Sequence, residues 1–182
     1  MNLRQAPELQ TTHWFNTPAP ITLKSLRGRV VLIEAFQMLC PGCVSHGLPQ
    51  AQRVAATFNA NDVAVIGLHT VFEHHAGQGT KESLGAFLHE YRLTFPVGID
   101  APSQGGGIPM TMAAYQMQGT PSLLLIDRLG RVRKHKFGRE EDLVLGAEIM
   151  SLIREGNVFA ESQIDPDPAN TPDGCDENGC SA

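Results

Sequence analysis

Two cysteines separated by two residues, Cys40-Pro41-Gly42-Cys43, stand shortly after the run Val30-Val31-Leu32-Ile33-Glu34-Ala35-Phe36. That run is apolar except for Glu34, is β-branched at its start and is bounded by Gly28 and Pro41, which suits a strand covered on both faces in a parallel or mixed sheet. The segment after Cys43, to about Asn59, carries Val44, Leu48, Ala51, Val54, Ala55 and Phe58 at helical spacing, with Pro49 expected to bend it. The cysteines therefore stand at a strand-to-helix junction. This restricts the chain to folds in which a buried strand feeds a covering helix.

The rest of the chain extends the pattern. Val63-Ala64-Val65-Ile66-Gly67-Leu68 reads as a second buried strand, and 80–92 as an amphipathic helix bearing Leu84, Phe87, Leu88 and Tyr91. Phe95-Pro96-Val97 is expected at a sheet edge, because proline supplies no ladder donor. A short helix over 108–117 precedes the strands 122–126 and 132–137, joined through Asp127-Arg128-Leu129-Gly130 as a hairpin. A closing helix over 141–154 presents Leu143, Leu145, Ile149, Leu152 and Ile153 on its apolar face. Before the first long strand, Trp14-Phe15 and Ile21-Thr22-Leu23 read as a short strand or hairpin.

At 182 residues, with 42% hydrophobic and 18% charged residues, one domain with a full core is expected, over 1–158. Residues 159–182 are rich in Pro, Asp and Asn and are expected to form a flexible acidic tail. The net charge of −5, with no basic stripe, argues against a nucleic-acid partner. No apolar run reaches the length of a secretory signal core or a membrane span, so a cytoplasmic protein without membrane contact is expected.

In a reducing compartment, C-x-x-C within a βαβ pattern reads as a redox pair, whereas a zinc site would want a second knuckle. Placed at the helix start, Cys40 meets free amides and the positive end of the helix dipole, which stabilise a thiolate and lower its pKa. Cys40 is then the attacking thiol and Cys43 the resolving one. Glu34, six residues earlier in an apolar strand, is expected to have a raised pKa and to accept the Cys43 proton. No cofactor is expected beyond the redox-active disulfide Cys40–Cys43, and no metal.

Taken together, the strand VVLIEAF, the CPGC pair, Gly119-Thr120-Pro121, and the strand LLLID with its DRLG turn resemble the thioredoxin superfamily, in particular its TlpA-like or redoxin-like branch. The resemblance covers about residues 14–154. It implies an α/β three-layer sandwich, a central mixed sheet flanked by helices, with an N-terminal extension. It further implies a cis Pro121 opposite the disulfide and a Thr120 backbone that receives substrate, with Pro41 and Gly42 beside it. Glu34 occupies the position of the family's buried acid, which is usually Asp. The helix proline, Pro49, stands one residue later than in this branch.

The expected activity is thiol–disulfide exchange, as a reductase of protein or small-molecule disulfides recharged by an electron-donating reductase. A thiol peroxidase is the enzymatic alternative. Its Pro-x-x-x-Thr-x-x-Cys pattern is absent, since Gln37 stands three residues before Cys40 and Ile33 seven before. A metal-binding or metallochaperone module using CPGC and the tail cysteines is the alternative from another class. In the tail, Cys175 and Cys180 are spaced as a C-x4-C, read as an auxiliary redox pair, a soft-metal clip or bystander thiols. His46 is expected on the helix surface near the pair. His69, Glu73, His74 and His75 are expected in a solvated loop, and Gly105-Gly106-Gly107 in a flexible one.

Overall fold

A computed structural model describes residues 3–161 of the chain. Among these, six strands form one sheet in the order β1-β4-β3-β2-β5-β6: β1 is Thr11–Phe15, β2 Val30–Phe36, β3 Val63–His69, β4 Val97–Asp100, β5 Ser122–Ile126 and β6 Val132–Phe137. The helices are α1 (Leu48–Thr57), α2 (His75–Gln78), α3 (Lys81–Glu90), α4 (Met110–Tyr115) and α5 (Asp142–Glu161).

The strand that carries Glu34 is central. β2 pairs in parallel with β3 on one side and antiparallel with β5 on the other, and all seven of its residues are buried. Its alternating side chains feed two cores. Val30, Leu32 and Phe36 pack with Leu48, Ala51 and Val54 of α1 and Leu145, Ile149 and Leu152 of α5. Val31, Ile33 and Ala35 face the opposite layer, with Leu23, Leu26, Met112 and Tyr115. Glu34 shares the alternation of Leu32 and Phe36, and so faces the layer that contains α1 and Cys43. Burial of each of these large aliphatic or aromatic side chains stabilises the fold by about 1.5–3 kcal/mol.

Four expectations are corrected. Ile21-Thr22-Leu23 forms no hairpin with the first strand. The Thr22 hydroxyl accepts from Ser25 N–H and caps a 3₁₀ turn at Leu23–Leu26, and β1 pairs antiparallel with β4. Nor is β4 an edge, because it lies between β3 and β1. Pro96 precedes it, where its missing donor costs nothing, and its carbonyl accepts from Gly67 N–H at 2.9 Å. Leu143 is 89% exposed, because it falls in the first turn of α5, on the side away from the core. That helix also runs on to Glu161.

The hairpin of β5 and β6 forms as expected, with Asp127 of the turn accepting from Leu129 N–H and Arg131 N–H. The expected tail, including Cys175 and Cys180, lies outside the described residues beyond Glu161.

Candidate active site at the start of the α1 helix

Helical backbone begins at Pro41 and continues without a break to Thr57. Pro41 opens it, where a missing N–H costs nothing and its fixed φ fits. Cys40 is therefore the capping residue. Its carbonyl accepts from Val44 N–H at 3.2 Å, and its sulfur accepts from Cys43 N–H at 3.2 Å. A cysteine sulfur here fills the place that a Ser or Asp oxygen fills at most helix starts. A donor aimed at Sγ from the positive end of a helix is the orientation that stabilises negative charge there. Cys40 Sγ also lies 3.4 Å from the carbonyl of Thr120. Both Cys40 and Cys43 are free thiols, the first partly exposed and the second buried.

Burial and the hydrogen bond with Cys40 push the Cys43 thiol well above the usual thiol range. The two sulfurs thus differ in access: that of Cys40 is partly open to solvent and that of Cys43 is not.

The segment Cys43–Gly47 is a turn of π-helix, closed by Leu48 N–H donating to the Cys43 carbonyl. A π-turn takes up one extra residue within a helix. That is the displacement seen in the sequence, where Pro49 stands one position late: the proline keeps a place in the first turn of α1.

The Thr120–Pro121 bond is cis, and the Thr120 carbonyl lies against Cys40. Two glycines make room for the proline. A Cβ on Gly42 would lie 3.2 Å from Pro121 Cδ, and one on Gly47 3.1 Å from Pro121 Cβ. The Pro121 carbonyl accepts from Gly138 N–H at 2.8 Å, and Ser122 Oγ donates to the Gly119 carbonyl at 2.7 Å. Cys40, Pro41, Gly42, Cys43, Thr120 and Pro121 thus converge at one end of the sheet.

Glu34 lies beneath them, 1% exposed, and burial raises its carboxyl pKa to about 8. Its Oε1 has no hydrogen-bond partner among the described residues. A side chain on Gly47 would overlap that oxygen, so the glycine is what lets the acid come up under the π-turn. Gly47 went unnoticed in the sequence because its φ of −60° is open to any residue, and it is the approach of Glu34 and Pro121 from other parts of the chain that demands it.

A second feature not foreseen is a buried amide network behind Cys40. Gln37 donates from Nε2 to Glu73 Oε1 at 3.2 Å, and its Oε1 accepts from Gln78 Nε2 at 2.9 Å. Gln78 in turn accepts from Leu39 N–H at 3.0 Å and donates to the Glu73 carbonyl at 2.9 Å. The network ties the loop before Cys40 to the segment after β3. Its sequence signal was two glutamines flanked by apolar or loop residues, indistinguishable from surface polar residues before folding.

Glu73 is thereby committed to a structural bond. His69 is no loop residue: it ends β3, is buried against Phe36 at a ring distance of 5.3 Å, and has its pKa lowered to about 4 by burial. Among the described residues no group of three or more His, Cys, Asp or Glu is placed to hold a metal ion. His46 is exposed on the π-turn, and Gly105–Gly107 form a loop with φ between +82° and +99°.

Comparison with known proteins follows the same lines. The redoxin family profile matches residues 4–147. A solved thioredoxin-like superfamily protein is 61% identical, covering 82% of this chain and 96% of its own, with a TM-score of 0.80. A thiol-disulfide isomerase from Corynebacterium glutamicum is 47% identical, covering 81% of this chain and 96% of its own, with a TM-score of 0.77. Protein DipZ of Mycobacterium bovis and of Mycobacterium tuberculosis is 31% identical over 176 residues, 92% of this chain. The chain spans 23% of the length of these DipZ proteins.

Proposed function

This chain belongs to the redoxin family, and from that premise we propose that it reduces disulfides of proteins or small molecules through Cys40 and Cys43. The observation that carries the proposal is the division of labour between the two sulfurs. Cys40 is partly exposed and held by a helix-start N–H, while Cys43 is buried beside it, and Glu34 Oε1, without a hydrogen-bond partner among the described residues, comes up against Gly47 of the same turn.

In the forward reaction the Cys40 thiolate attacks one sulfur of the substrate, and the substrate's other sulfur leaves as a thiolate. Cys43 then gives its proton to the Glu34 carboxylate, and the new thiolate attacks Cys40 Sγ. The Cys40–Cys43 disulfide forms and the second substrate thiolate departs, so two electrons pass from the pair to the substrate. A separate dithiol donor restores the pair. In this direction a base must remove the proton of the buried Cys43 before it can expel the substrate, and that is the part Glu34 plays. The backbone of Thr120 beside cis-Pro121 is the surface against which a peptide substrate would lie.

The test is reduction of insulin and of oxidised glutathione by the wild-type chain and two variants. Cys40→Ser should abolish turnover, and Cys43→Ser should accumulate a one-to-one mixed disulfide through Cys40. Turnover persisting in Cys40→Ser would sink the assignment.

A further inference from the structure

Glu34 can accept a proton only in its ionised form and must equilibrate with solvent to reach it, yet it is buried and its Oε1 has no hydrogen-bond partner among the described residues. The structure offers an opening on one side. A cavity of about 620 Å³ lies between the π-turn with α1 and the segment joining β6 to α5, and Glu34, Ser45, Gly47 and Gln50 line it. It is large enough for a file of water molecules, and the polar and charged side chains along its walls offer them partners. Cys40 lines none of it, so it is separate from the approach used by a disulfide substrate.

The outer wall of this cavity is fastened to α1 by one buried side chain. Gln50 is 6% exposed and donates from Nε2 to the Glu140 carbonyl at 2.9 Å and to Asp142 Oδ1 at 2.6 Å. Arg53, one turn on, donates to Asp142 Oδ2 at 2.9 Å from the exposed side. The charged and titratable groups around the cavity are His46 from the π-turn, Arg53 from α1, and Arg139, Glu140, Glu141 and Asp142 from the far wall. The Arg53 hydrogen bond holds the Asp142 carboxyl below the usual range, and the Lys134 hydrogen bond does the same for Glu140. Those two acids stay ionised near neutrality and take no proton from Glu34. Passage then depends on the width and polarity of the space itself.

We propose that this cavity is the route by which the Glu34 carboxyl exchanges its proton with solvent, and that Gln50, by tying residues 140 and 142 to α1, is a positioning residue that sets how open the route is. The proposal rests on the reading of Glu34 as the acceptor of the Cys43 proton. As the disulfide forms the proton moves from Cys43 Sγ to a Glu34 carboxylate oxygen, and when the donor re-reduces the pair Cys43 Sγ takes a proton back from the Glu34 carboxyl, which stays in exchange with water in the cavity; neither proton transfer changes a redox state.

The test reads the carboxyl directly. The C=O stretch of protonated Glu34 in the reduced full-length chain is identified by infrared difference against Glu34→Gln, and its hydrogen–deuterium exchange is timed after transfer to D2O at pH 6. Ser45→Trp puts a ring at the cavity wall and should slow that exchange by about tenfold or more, the factor that about 1.4 kcal/mol of added barrier produces. Gln50→Leu keeps the bulk, removes both donors and should speed the exchange severalfold. In Ser45→Trp the pH profile of mixed-disulfide resolution should flatten, while alkylation of Cys40 keeps its wild-type rate.

Exchange at the wild-type rate in a folded Ser45→Trp would overturn the route, and an unchanged rate in Gln50→Leu would overturn the role of the latch. No disulfide substrate enters the exchange measurement, so failure of the proposed reductase activity would show separately, in the insulin assay.

Discussion

A methyl group on Gly47 would overlap Oε1 of Glu34 and come within 2.9 Å of its Cδ, although the two residues lie in different layers of the fold. The approach of Glu34, more than the 3.1 Å contact with Pro121 Cβ, is what demands the glycine, since its φ of −60° is open to any residue. Gly47→Ala should therefore lower stability by about 1–3 kcal/mol through overpacking, measured by urea denaturation of the reduced protein. Gly47→Ala combined with Glu34→Ala should recover most of the loss. A double variant no more stable than Gly47→Ala would show that the clash lies elsewhere.

Glu34 also writes itself into the pH dependence of stability. Its folded pKa, about 8, lies above its unfolded value, so the native state binds the proton more tightly and ionisation opposes folding. The cost is absent below pH about 4.5, grows as pH rises, and is complete above pH about 8. Glu34→Gln should thus gain stability over wild type across that window, by up to about 5 kcal/mol. Parallel stability profiles for the two proteins between pH 4 and 9 would contradict this.

His69 has the opposite sign. Its folded pKa of about 4 lies below its ordinary 6.5, so the unfolded chain takes the proton first and stability is lost as pH falls from about 6.5 to about 4. The loss over that interval should approach about 3 kcal/mol, and it should be missing from His69→Leu. Thermal melts at pH 7 and pH 4.5 compare the two.

The amide network predicts a local effect. Gln78→Leu removes the acceptor of Leu39 N–H and the donor to Gln37, leaving buried groups without partners, at a cost of about 1–3 kcal/mol. Because Leu39 adjoins Cys40, turnover with insulin should fall along with stability, whereas a change at an exposed loop residue such as Gln104→Leu should alter neither by more than about 0.5 kcal/mol in free energy. Hydrogen exchange at residues 37–40 would register the loosening directly.

Much of the fold was legible in the residues themselves. A seven-residue apolar strand, a following helix at 3.6 spacing and a hairpin turn are local patterns, and each was set by side chains close together in sequence. The position of Cys40 at the helix start followed from the same local logic, since Pro41 opens the helix and Cys43 lies within its first turn. The acid in the middle of VVLIEAF stood out for the same reason: burial on both faces of a strand leaves a carboxyl no solvent, whatever packs over it.

What covers that strand could not be read from its neighbours. The pairing of β1 with β4 makes an expected edge into an interior strand, and it joins residues more than eighty positions apart. Gly47, Gln37 and Gln78 gain their roles only when α1, β2 and α2 meet, because hydrogen bonding and steric exclusion act over a few ångströms and are blind to sequence distance. The chain alone determined that two cysteines stand at the start of a helix fed by a buried strand, because those patterns are local; the tertiary structure decided which of the two sulfurs is partly exposed and brought Glu34 against Gly47 of the same turn, because burial and close approach depend on what packs across the layers.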